Sequence, residues 1–469
     1  MSLVDEFDIL IDDFNSSAKV IRRYLVSRER DKTVQKSDSA PPELLLASAP
    51  GKVRDANKVI FEAMANIQKM IIDPVELIRQ IMIEFQKLSC LRWIVHLNIP
   101  VHVSLDTPIS YAVVAQAAKV PEQQLRQVAR MAATSGFLSQ PSPNMLAHTP
   151  LSARFVTNPL YREAALYQTE TEGGIALNMT PMTSKYRGSE KINETAHNIF
   201  DKTDLRYFQY LDKRSKSVFR YQAAMTVLGG YGKETSTRHL VEMFDWAGLG
   251  EAEVVDVGNS TGHASIALAQ AFPKLRFTVQ DLDPMIIKAS HSPLLAGVKD
   301  RIRFVFHDYF QPLMRPRAKA SVFLLRLVLQ IHSKTTAQTI LRNIASVMRP
   351  GAVILLNNVI LPDAGTGELR KEALERAKSL MLMQAMNGAD REEAEFRELV
   401  EGAGAGLSVK QVVRREKSAL GLVVITKTSG LETEDGGMRF LDAMEVDGMA
   451  VRDAVVENCI SQDSLVNHA

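Results

Sequence analysis

The stretch AEVVDVGNSTGHASIALAQAF, residues 252–272, decides the fold. Its first seven residues are mostly apolar and predict a buried β-strand, and an apolar helical pattern begins at residue 263. Gly258 and Gly262 lie between the two, where the absence of a Cβ lets a ligand approach the backbone closely. A strand that turns through glycines into a helix predicts a βαβ unit with a ligand-binding site at the N-terminus of its helix.

The same alternation of strand and helix continues along the second half of the chain, with a helix predicted over 336–348. Further strands are predicted over 275–283, 302–310, 320–329 and 352–361. Two last strand-like runs, 407–415 and 419–428, can pair as an antiparallel hairpin at a sheet edge. This pattern predicts a doubly wound, Rossmann-like α/β sheet whose ligand crevice lies at the carboxyl ends of the strands.

The first part of the chain has the apolar spacing of helices instead. Within it, residues 107–138 have the helix, short turn, helix pattern of a winged-helix module, and Pro121 opens the second helix. We expect this module to serve packing or dimerisation, because the chain has no basic stripe for DNA. The predicted domains are 1–106 (helical dimerisation region), 107–170 (winged-helix-like module), 171–428 (cofactor-binding domain) and 429–469 (tail).

Composition limits the class of protein. The 469 residues are 46% apolar, enough for a large core, and 56 basic residues nearly balance 54 acidic ones. This balance argues against nucleic-acid and membrane partners. Cys90 and Cys459 form no metal-binding or disulfide pattern, so we expect no metal. The absence of a leader pattern or a long apolar run predicts a cytoplasmic protein that acts on a small molecule.

Acidic side chains follow successive predicted strands. Asp256 lies in the first strand, Asp281 ends the second, and Asp308 ends the third beside aromatic Tyr309. Each acid taken alone is better explained as a turn residue or a solvated group. Together at one sheet edge they favour a nucleoside pocket, in which Asp281 binds the ribose hydroxyls and Asp308 with Tyr309 binds the adenine. Because Gly258 and Gly262 do not form the dinucleotide fingerprint, a different nucleoside is expected.

These motifs, together with LLRLVL, RPGAVILLNNVILPD and NGADREEAEFREL, resemble the S-adenosylmethionine-dependent O-methyltransferases of plant caffeate type and their fungal secondary-metabolite relatives. The resemblance covers roughly residues 60–428 and implies a class I methyltransferase fold, S-adenosylmethionine as cofactor and a homodimer built by the N-terminal half. The residues that it implies at the cofactor are Asp256 and Gly258 at the methionine part, Asp281 at the ribose, Asp308 and Tyr309 at the adenine, and Arg326 nearby.

The resemblance fails at the catalytic base. The family usually has a histidine where this chain has Gln330, and an amide cannot take a proton near neutral pH. Loss of general-base assistance would lower the rate ~10²- to 10⁴-fold. One of the acids that orient that histidine is replaced by Asn358, and the other corresponds to Asp390. His332 could act as a displaced base, but we expect it to be a surface or hydrogen-bonded residue.

Lys334 is a second departure, because the family commonly has an acid there. A solvated lysine is one explanation, but a cation at a helix N-terminus opposes the helix dipole. In lacking the histidine and having this lysine, the chain resembles the O-methyltransferase-like pericyclases of fungal alkaloid and polyketide pathways. The resemblance implies a homodimeric enzyme that binds S-adenosylmethionine without methyl transfer.

This pericyclase would control dehydration and Alder-ene or hetero-Diels–Alder closure of a polyketide-derived pyridone alcohol. On this hypothesis, Lys334 donates a hydrogen bond to the pyridone carbonyl. Two alternatives stay open: an active O-methyltransferase that relies on His332 or on ionisation of its substrate, and a non-catalytic cofactor-binding partner protein.

Overall fold

The computed structural model describes residues 2–32, 49–228, 235–258, 261–311 and 320–428. The predicted tail at 429–469 and residues 259–260 of the glycine turn lie outside these ranges. The chain forms two compact units. Unit 1 comprises residues 1–180, 207–228 and 364–377, and unit 2 comprises 181–206, 229–363 and 378–469. The four domain ranges drawn from the sequence stay a prediction.

The α-helices of the described residues are numbered in chain order. They are α1 (Leu3–Lys32), α2 (Gly51–Ile71), α3 (Pro74–His96), α4 (Tyr111–Ala118), α5 (Glu122–Ala133), α6 (Pro150–Thr157), α7 (Pro159–Leu166), α8 (Gly173–Leu177), α9 (Met179–Tyr186), α10 (Ala196–Phe200), α11 (Tyr207–Asp212), α12 (Ser215–Val227), α13 (Thr237–Met243), α14 (His263–Ala271), α15 (Asp283–Ser290), α16 (Lys334–Ala345), α17 (Leu369–Met386) and α18 (Glu393–Ala403). One π-helical segment, Tyr167–Glu172, continues α7.

The strands are numbered in the same way. They are β1 (Ile109–Ser110), β2 (Leu138–Ser142), β3 (Met145–His148), β4 (Glu253–Val257), β5 (Arg276–Asp281), β6 (Ile302–Phe306), β7 (Ala320–Arg326), β8 (Val353–Asn358), β9 (Ile360–Leu361), β10 (Arg391–Glu392), β11 (Leu407–Val413) and β12 (Gly421–Lys427).

Unit 1 is mostly helical, as the apolar spacing predicted. Its α3 begins where the Asp73 side chain accepts a hydrogen bond from the Glu76 N–H at 2.8 Å, with Pro74 in the first turn. Further along the chain, α4 and α5 precede an antiparallel sheet of order β1-β3-β2. Buried Ile94, Tyr111 and Leu125 join these elements in one apolar cluster. The assignment of this segment as a winged-helix module stays a prediction.

Unit 2 is built on a seven-stranded sheet of order β11-β12-β8-β7-β4-β5-β6. The strands from β4 to β8 run parallel, and β12 runs antiparallel to both of its neighbours. Its central strands are almost continuously apolar, since helices pack on both faces of a parallel sheet. The predicted mixed α/β sheet with an edge hairpin is thereby confirmed.

The strand order reverses between β4 and β7, and this reversal positions the site. The chain moves outward through β5 and β6 on one side of β4, and through β8 on the other side of β7. Ligands of such sheets bind at the carboxyl ends of the strands that flank the reversal. Within the described residues, no helix is both long and apolar enough to cross a membrane.

Arg301 secures α14, the helix that follows the glycine turn. Its guanidinium donates hydrogen bonds to the Phe272 and Leu275 carbonyls at 3.2 Å each, and to the Ala269 carbonyl. The last carbonyls of a helix have no partner within the helix, so a side chain that binds them stabilises its end.

We predict that Arg301→Met lowers the free energy of unfolding by about 1–3 kcal/mol, because it removes hydrogen bonds from a charged donor to half-buried carbonyls. Urea denaturation of the full chain measures this. Lys299→Met, which removes an exposed cation two residues away, is the matched control and should change stability by less than about 0.5 kcal/mol. Equal effects of the two substitutions would contradict the proposed role of Arg301.

Candidate active site

The glycine turn after β4 lies against the aromatic side chain that follows β6. Gly258 has φ +73°, and a Cβ on it would lie 3.1 Å from Val328 Cγ2 and 3.2 Å from Tyr309 Cε1. Gly262 also has φ +73°, and a Cβ there would lie 3.1 Å from Phe304 Cε1. Only glycine fits both the backbone angle and the space at these two positions, so Tyr309, Val328 and Phe304 pack directly on the backbone of this glycine cradle at the start of α14.

The three predicted acids follow successive strands but differ in their surroundings. Asp256 is fully buried in β4, and its carboxylate accepts a hydrogen bond from the Ser265 hydroxyl at 2.6 Å. Asp281 ends β5, where its carboxylate accepts the Leu282 N–H at 2.7 Å. The strand predicted over 302–310 ends earlier, at Phe306, so Asp308 lies on the loop beyond β6 and not at the strand end.

This arrangement fits the predicted nucleoside cofactor. Half-buried Asp281 ends β5, and half-buried Asp308 lies on the loop that follows the adjacent strand β6, next to Tyr309, which packs on Gly258. Carboxylates there suit ribose hydroxyls and an adenine amino group, and a bare backbone suits close approach of the rest of the ligand. A direct ligand contact by the enclosed Asp256 stays a prediction.

The segment after β7 is strained and tied down from several sides. Leu327 has φ +58°, which is unfavourable for a residue with a branched side chain, and its N–H donates to the Asn357 carbonyl at 3.0 Å. Arg326 at the end of β7 donates to Asn357 Oδ1 at 3.0 Å and to the Thr235 carbonyl. A short 3-10 turn, Leu329–Ile331, then follows.

A buried arginine holds this turn. Arg391 is 6% exposed, and its guanidinium donates to the Leu329 and His332 carbonyls at 3.0 Å each. The Ala389 N–H donates to the Gln330 carbonyl at 2.8 Å. Burial lowers the pKa of Arg391 from its ordinary value. The role of Arg391 was not predicted from the sequence, because no local pattern separates a buried arginine from the many surface ones.

Gly388 also restrains this turn, and its role was likewise not predicted from the sequence. A Cβ on Gly388 would lie 2.2 Å from the Gln330 carbonyl oxygen and 3.0 Å from Ile331 Cα, so the two backbone segments meet at a distance that only glycine allows. The turn that carries Gln330 is therefore fixed in place on both sides.

Gln330, in the turn that follows β7, and Asn358, at the end of β8, form an amide pair. Asn358 is 1% exposed, and its Nδ2 donates to Gln330 Oε1 at 3.0 Å. Asn358 Oδ1 is buried and forms no hydrogen bond with any residue that the structure describes. Asp390 is also buried, and its backbone N–H donates to Ser379 Oγ at 3.0 Å. The amide pair is neutral and has no group that takes a proton near neutral pH.

His332 is enclosed by aromatic rings. It is 4% exposed, its Nε2 lies 2.9 Å from the Tyr309 hydroxyl oxygen, and its ring packs edge-on against Tyr309 and Phe310. Burial, reinforced by the positive charges of Arg391 and Arg206, lowers the pKa of His332 to about 4. Burial likewise raises the pKa of Tyr309 to about 12. Both side chains are therefore neutral at physiological pH, and His332 is buried and not a surface residue.

Lys334 is the first residue of α16, not a residue of the loop before it. Its side chain is 53% exposed, and its ammonium lies 3.1 Å from the carboxylate of Glu398 on α18. The two residues border a surface cavity of about 300 Å³ whose lining also includes Glu190, His332 and Arg391. The hydrogen bond from Thr335, with a smaller effect of the Lys334 charge, lowers the pKa of the Glu190 carboxyl. Lys334 therefore lies near two acids, Glu190 and Glu398.

We predict that Gly388→Ala lowers the free energy of unfolding by about 1–3 kcal/mol, because the added methyl group must displace the turn that carries Gln330. Chemical denaturation measures the change. Gly51→Ala, at the exposed start of α2 with no atom within 4 Å of the new methyl group, is the matched control and should be neutral or slightly stabilising. Equal stability of both variants would contradict the close approach at Gly388.

We predict a pH-dependent loss of stability from His332. Its folded-state pKa of about 4 lies below the ordinary 6.5, so the unfolded chain binds the proton more readily. The contribution is fully present above pH 6.5, falls as the pH decreases toward 4, and amounts to roughly 3 kcal/mol. Denaturation of wild type and His332→Asn at pH 7 and pH 4.5 tests this. The wild type should lose more stability than the variant, and parallel losses would contradict the assignment.

The chain matches known proteins over most of its length. Residues 194–406 match the family model described as the O-methyltransferase domain. The O-methyltransferase VdtC of Byssochlamys spectabilis is 37% identical over 420 residues, which cover 88% of this chain and 96% of that protein.

Two solved structures share the fold at lower identity. OxaC is 18% identical, covers 91% of this chain and 100% of its own, and has a TM-score of 0.64. A structure described as a pericyclic reaction enzyme is 18% identical, covers 82% of this chain and 96% of its own, and has a TM-score of 0.59. At 18% identity, the two solved structures show only a shared fold, whereas the 37% identity to VdtC shows the family. The chain belongs to the O-methyltransferase family.

Proposed function

We propose that this protein transfers a methyl group from S-adenosylmethionine to a hydroxyl oxygen of a small secondary metabolite. S-adenosylmethionine is the cofactor. The observation that carries the proposal is the retained cradle of Gly258 and Gly262 beside Asp281 and Asp308, in a chain whose 37% identical relative VdtC is an O-methyltransferase over the same length. This proposal ranks methyl transfer above the pericyclic reaction that the sequence favoured.

The cofactor, when bound, supplies an electrophilic methyl group on a sulfonium. In our proposal, the Gly258 and Gly262 backbones lie against it, and Asp281 accepts hydrogen bonds from the ribose hydroxyls. Asp308 and Tyr309 flank the adenine. Arg326 lies nearby and holds the end of β7 through Asn357. We assign Asp256 a positioning role, because its carboxylate binds Ser265 in the first turn of α14.

No described residue of the β7 turn acts as a general base in this proposal. Gln330 is an amide, and Lys334 is an ammonium that is paired with Glu398. His332 is neutral but holds Tyr309 and is enclosed by rings. The rate enhancement then comes from orientation of the two reactants, which can supply on the order of 7–11 kcal/mol.

A pericyclase is the second candidate function, favoured by the replacement of a proton acceptor with the amide pair of Gln330 and Asn358. A pericyclic step needs a folded substrate conformer and no base. Lys334 could donate a hydrogen bond to a pyridone carbonyl, although this requires release of Glu398. The fold likeness to a pericyclic reaction enzyme supports this candidate less than the closer O-methyltransferase relative supports the first.

We further propose that the N-terminal helices form a homodimer interface. One side of α3 presents large apolar side chains to solvent within the single chain, which is unfavourable unless another surface covers them. These side chains are Val75, Leu77, Ile78, Ile81, Met82 and Phe85. The winged-helix-like module at 107–170 is proposed to serve the same assembly and not DNA.

Mass spectrometry of purified protein with S-adenosylmethionine and two acceptor sets, naphthols and pyridone alcohols, tests the proposal. We predict methylated product and S-adenosylhomocysteine in equal amounts. Lys334→Ala should change that rate less than threefold, as should the control Lys299→Ala. A cyclised product without S-adenosylhomocysteine, formed at least tenfold more slowly by Lys334→Ala, would replace this proposal with the pericyclase. Cofactor binding without any product would favour the non-catalytic alternative.

A further inference from the structure

We infer that Gln330 is a specificity-determining residue that restricts the protein to acceptor hydroxyls that are already ionised near neutral pH, such as phenols and enols made acidic by a conjugated carbonyl. In this inference the Gln330 amide donates a hydrogen bond to the acceptor oxyanion. The inference rests on the proposed methyl transfer and adds the chemical class of its substrate.

The geometry of the amide pair assigns the free donors. Gln330 Oε1 accepts from Asn358 Nδ2 at 3.0 Å, and Asn358 is buried and cannot turn away to solvent. Gln330 itself is half-buried, and its Nε2 forms no hydrogen bond with any residue in the described ranges. The group that Gln330 offers to a ligand is therefore a pair of N–H donors, which suit an anionic or carbonyl oxygen.

The turn holds this amide rigidly next to the cofactor cradle. Val328, two residues before Gln330, is the side chain that a Cβ on Gly258 would meet. Arg391 donates hydrogen bonds to the Leu329 and His332 carbonyls, which lie before and after Gln330 in the chain. The Ala389 N–H donates to the carbonyl of Gln330. Backbone strain at Leu327 adds to the cost of this arrangement. Gln330 is thus held in place although its amide cannot transfer a proton. A role as a positioned hydrogen-bond donor accounts for this restraint.

The charges of the pair agree with an anionic partner. Neither Gln330 nor Asn358 carries a negative charge that would repel an oxyanion, and a hydrogen bond to a charged acceptor is stronger than one between neutral groups. An ordinary phenol of pKa about 10 is ionised to about one part in a thousand at pH 7, whereas an acidic phenol is mostly ionised. Without a base, the rate depends on that ionised fraction.

The test uses 4-nitro-, 4-cyano- and unsubstituted 1-naphthol as acceptors, which share one ring system and differ in acidity. The readout is S-adenosylhomocysteine formed by the full-length protein between pH 6 and 9. We expect the pH at half-maximal kcat/KM to move with the pKa of each naphthol. A midpoint that is the same for all three naphthols would overturn the inference, because it would reveal a base on the protein.

Two variants test whether the Gln330 amide acts as a hydrogen-bond donor to the acceptor or only stabilises the structure. Gln330→Glu keeps an oxygen that accepts from Asn358 Nδ2 but removes the N–H donors, so kcat/KM for ionised 4-nitro-1-naphthol should fall ten- to a hundredfold with little change in melting temperature. Gln330→His combined with Asn358→Asp places an imidazole beside a carboxylate, and should give one midpoint shared by all naphthols. Unchanged activity of Gln330→Glu would overturn the inference.

A second readout distinguishes failure of this inference from failure of the proposed function. The absorbance of 4-nitro-1-naphthol reports its ionisation when it is bound to the protein with S-adenosylhomocysteine. The wild type should lower the pKa of the bound naphthol, and Gln330→Glu should raise it. A lowered pKa without any methyl transfer would reject the proposed function and keep the anion site. Methyl transfer without a pKa change, or neither signal, would reject the inference.

Discussion

The hydrogen bonds from the buried Arg391 guanidinium to the Leu329 and His332 carbonyls are the interaction on which the candidate site depends. A charged group that is nine-tenths buried is costly unless it is paired or hydrogen-bonded, and here backbone oxygens of the β7 turn satisfy it. The same turn carries Gln330 and His332. Loss of the guanidinium would remove these hydrogen bonds from the Leu329 and His332 carbonyls and loosen the turn that carries both side chains.

The proposed ligand crevice depends on the sheet and the turn together. The strand order reverses between β4 and β7, where sheets of this kind bind ligands at the carboxyl ends of their strands, and Gly258 after β4 lets Tyr309 and Val328 pack directly on its backbone. Tyr309 contacts both Gly258 and His332, so the glycine cradle and the β7 turn share one aromatic side chain.

The sequence predicted those parts of the molecule that local patterns determine. The turn through Gly258 and Gly262 and the edge hairpin were predicted because glycine punctuation and apolar runs are local signals. The end of β6 at Phe306 was predicted at residue 310, and the start of α16 at Lys334 was predicted at residue 336. Element ends are predicted less well than element types because tertiary contacts determine them.

Other features had no local signal. The burial of Arg391 and the tight approach of Gly388 to Gln330 depend on segments about 60 residues apart in the chain, and the rings that enclose His332 lie more than 20 residues before it. The positive φ of Leu327 is likewise invisible in its residue type. The resemblance implied that Gln330 stands where the family usually has a histidine, but the partner of Gln330 Oε1, and hence the remaining N–H donors, required the structure.

The most direct measurement is a crystal structure of the protein with S-adenosylhomocysteine and 4-nitro-1-naphthol, because it locates the acceptor oxygen relative to the β7 turn. The account predicts that Gln330 Nε2 lies within hydrogen-bonding distance of the naphthol oxygen, about 2.7–3.2 Å, while Oε1 stays bonded to Asn358. A naphthol oxygen that contacts His332 or Lys334, with Gln330 turned away, would contradict the account.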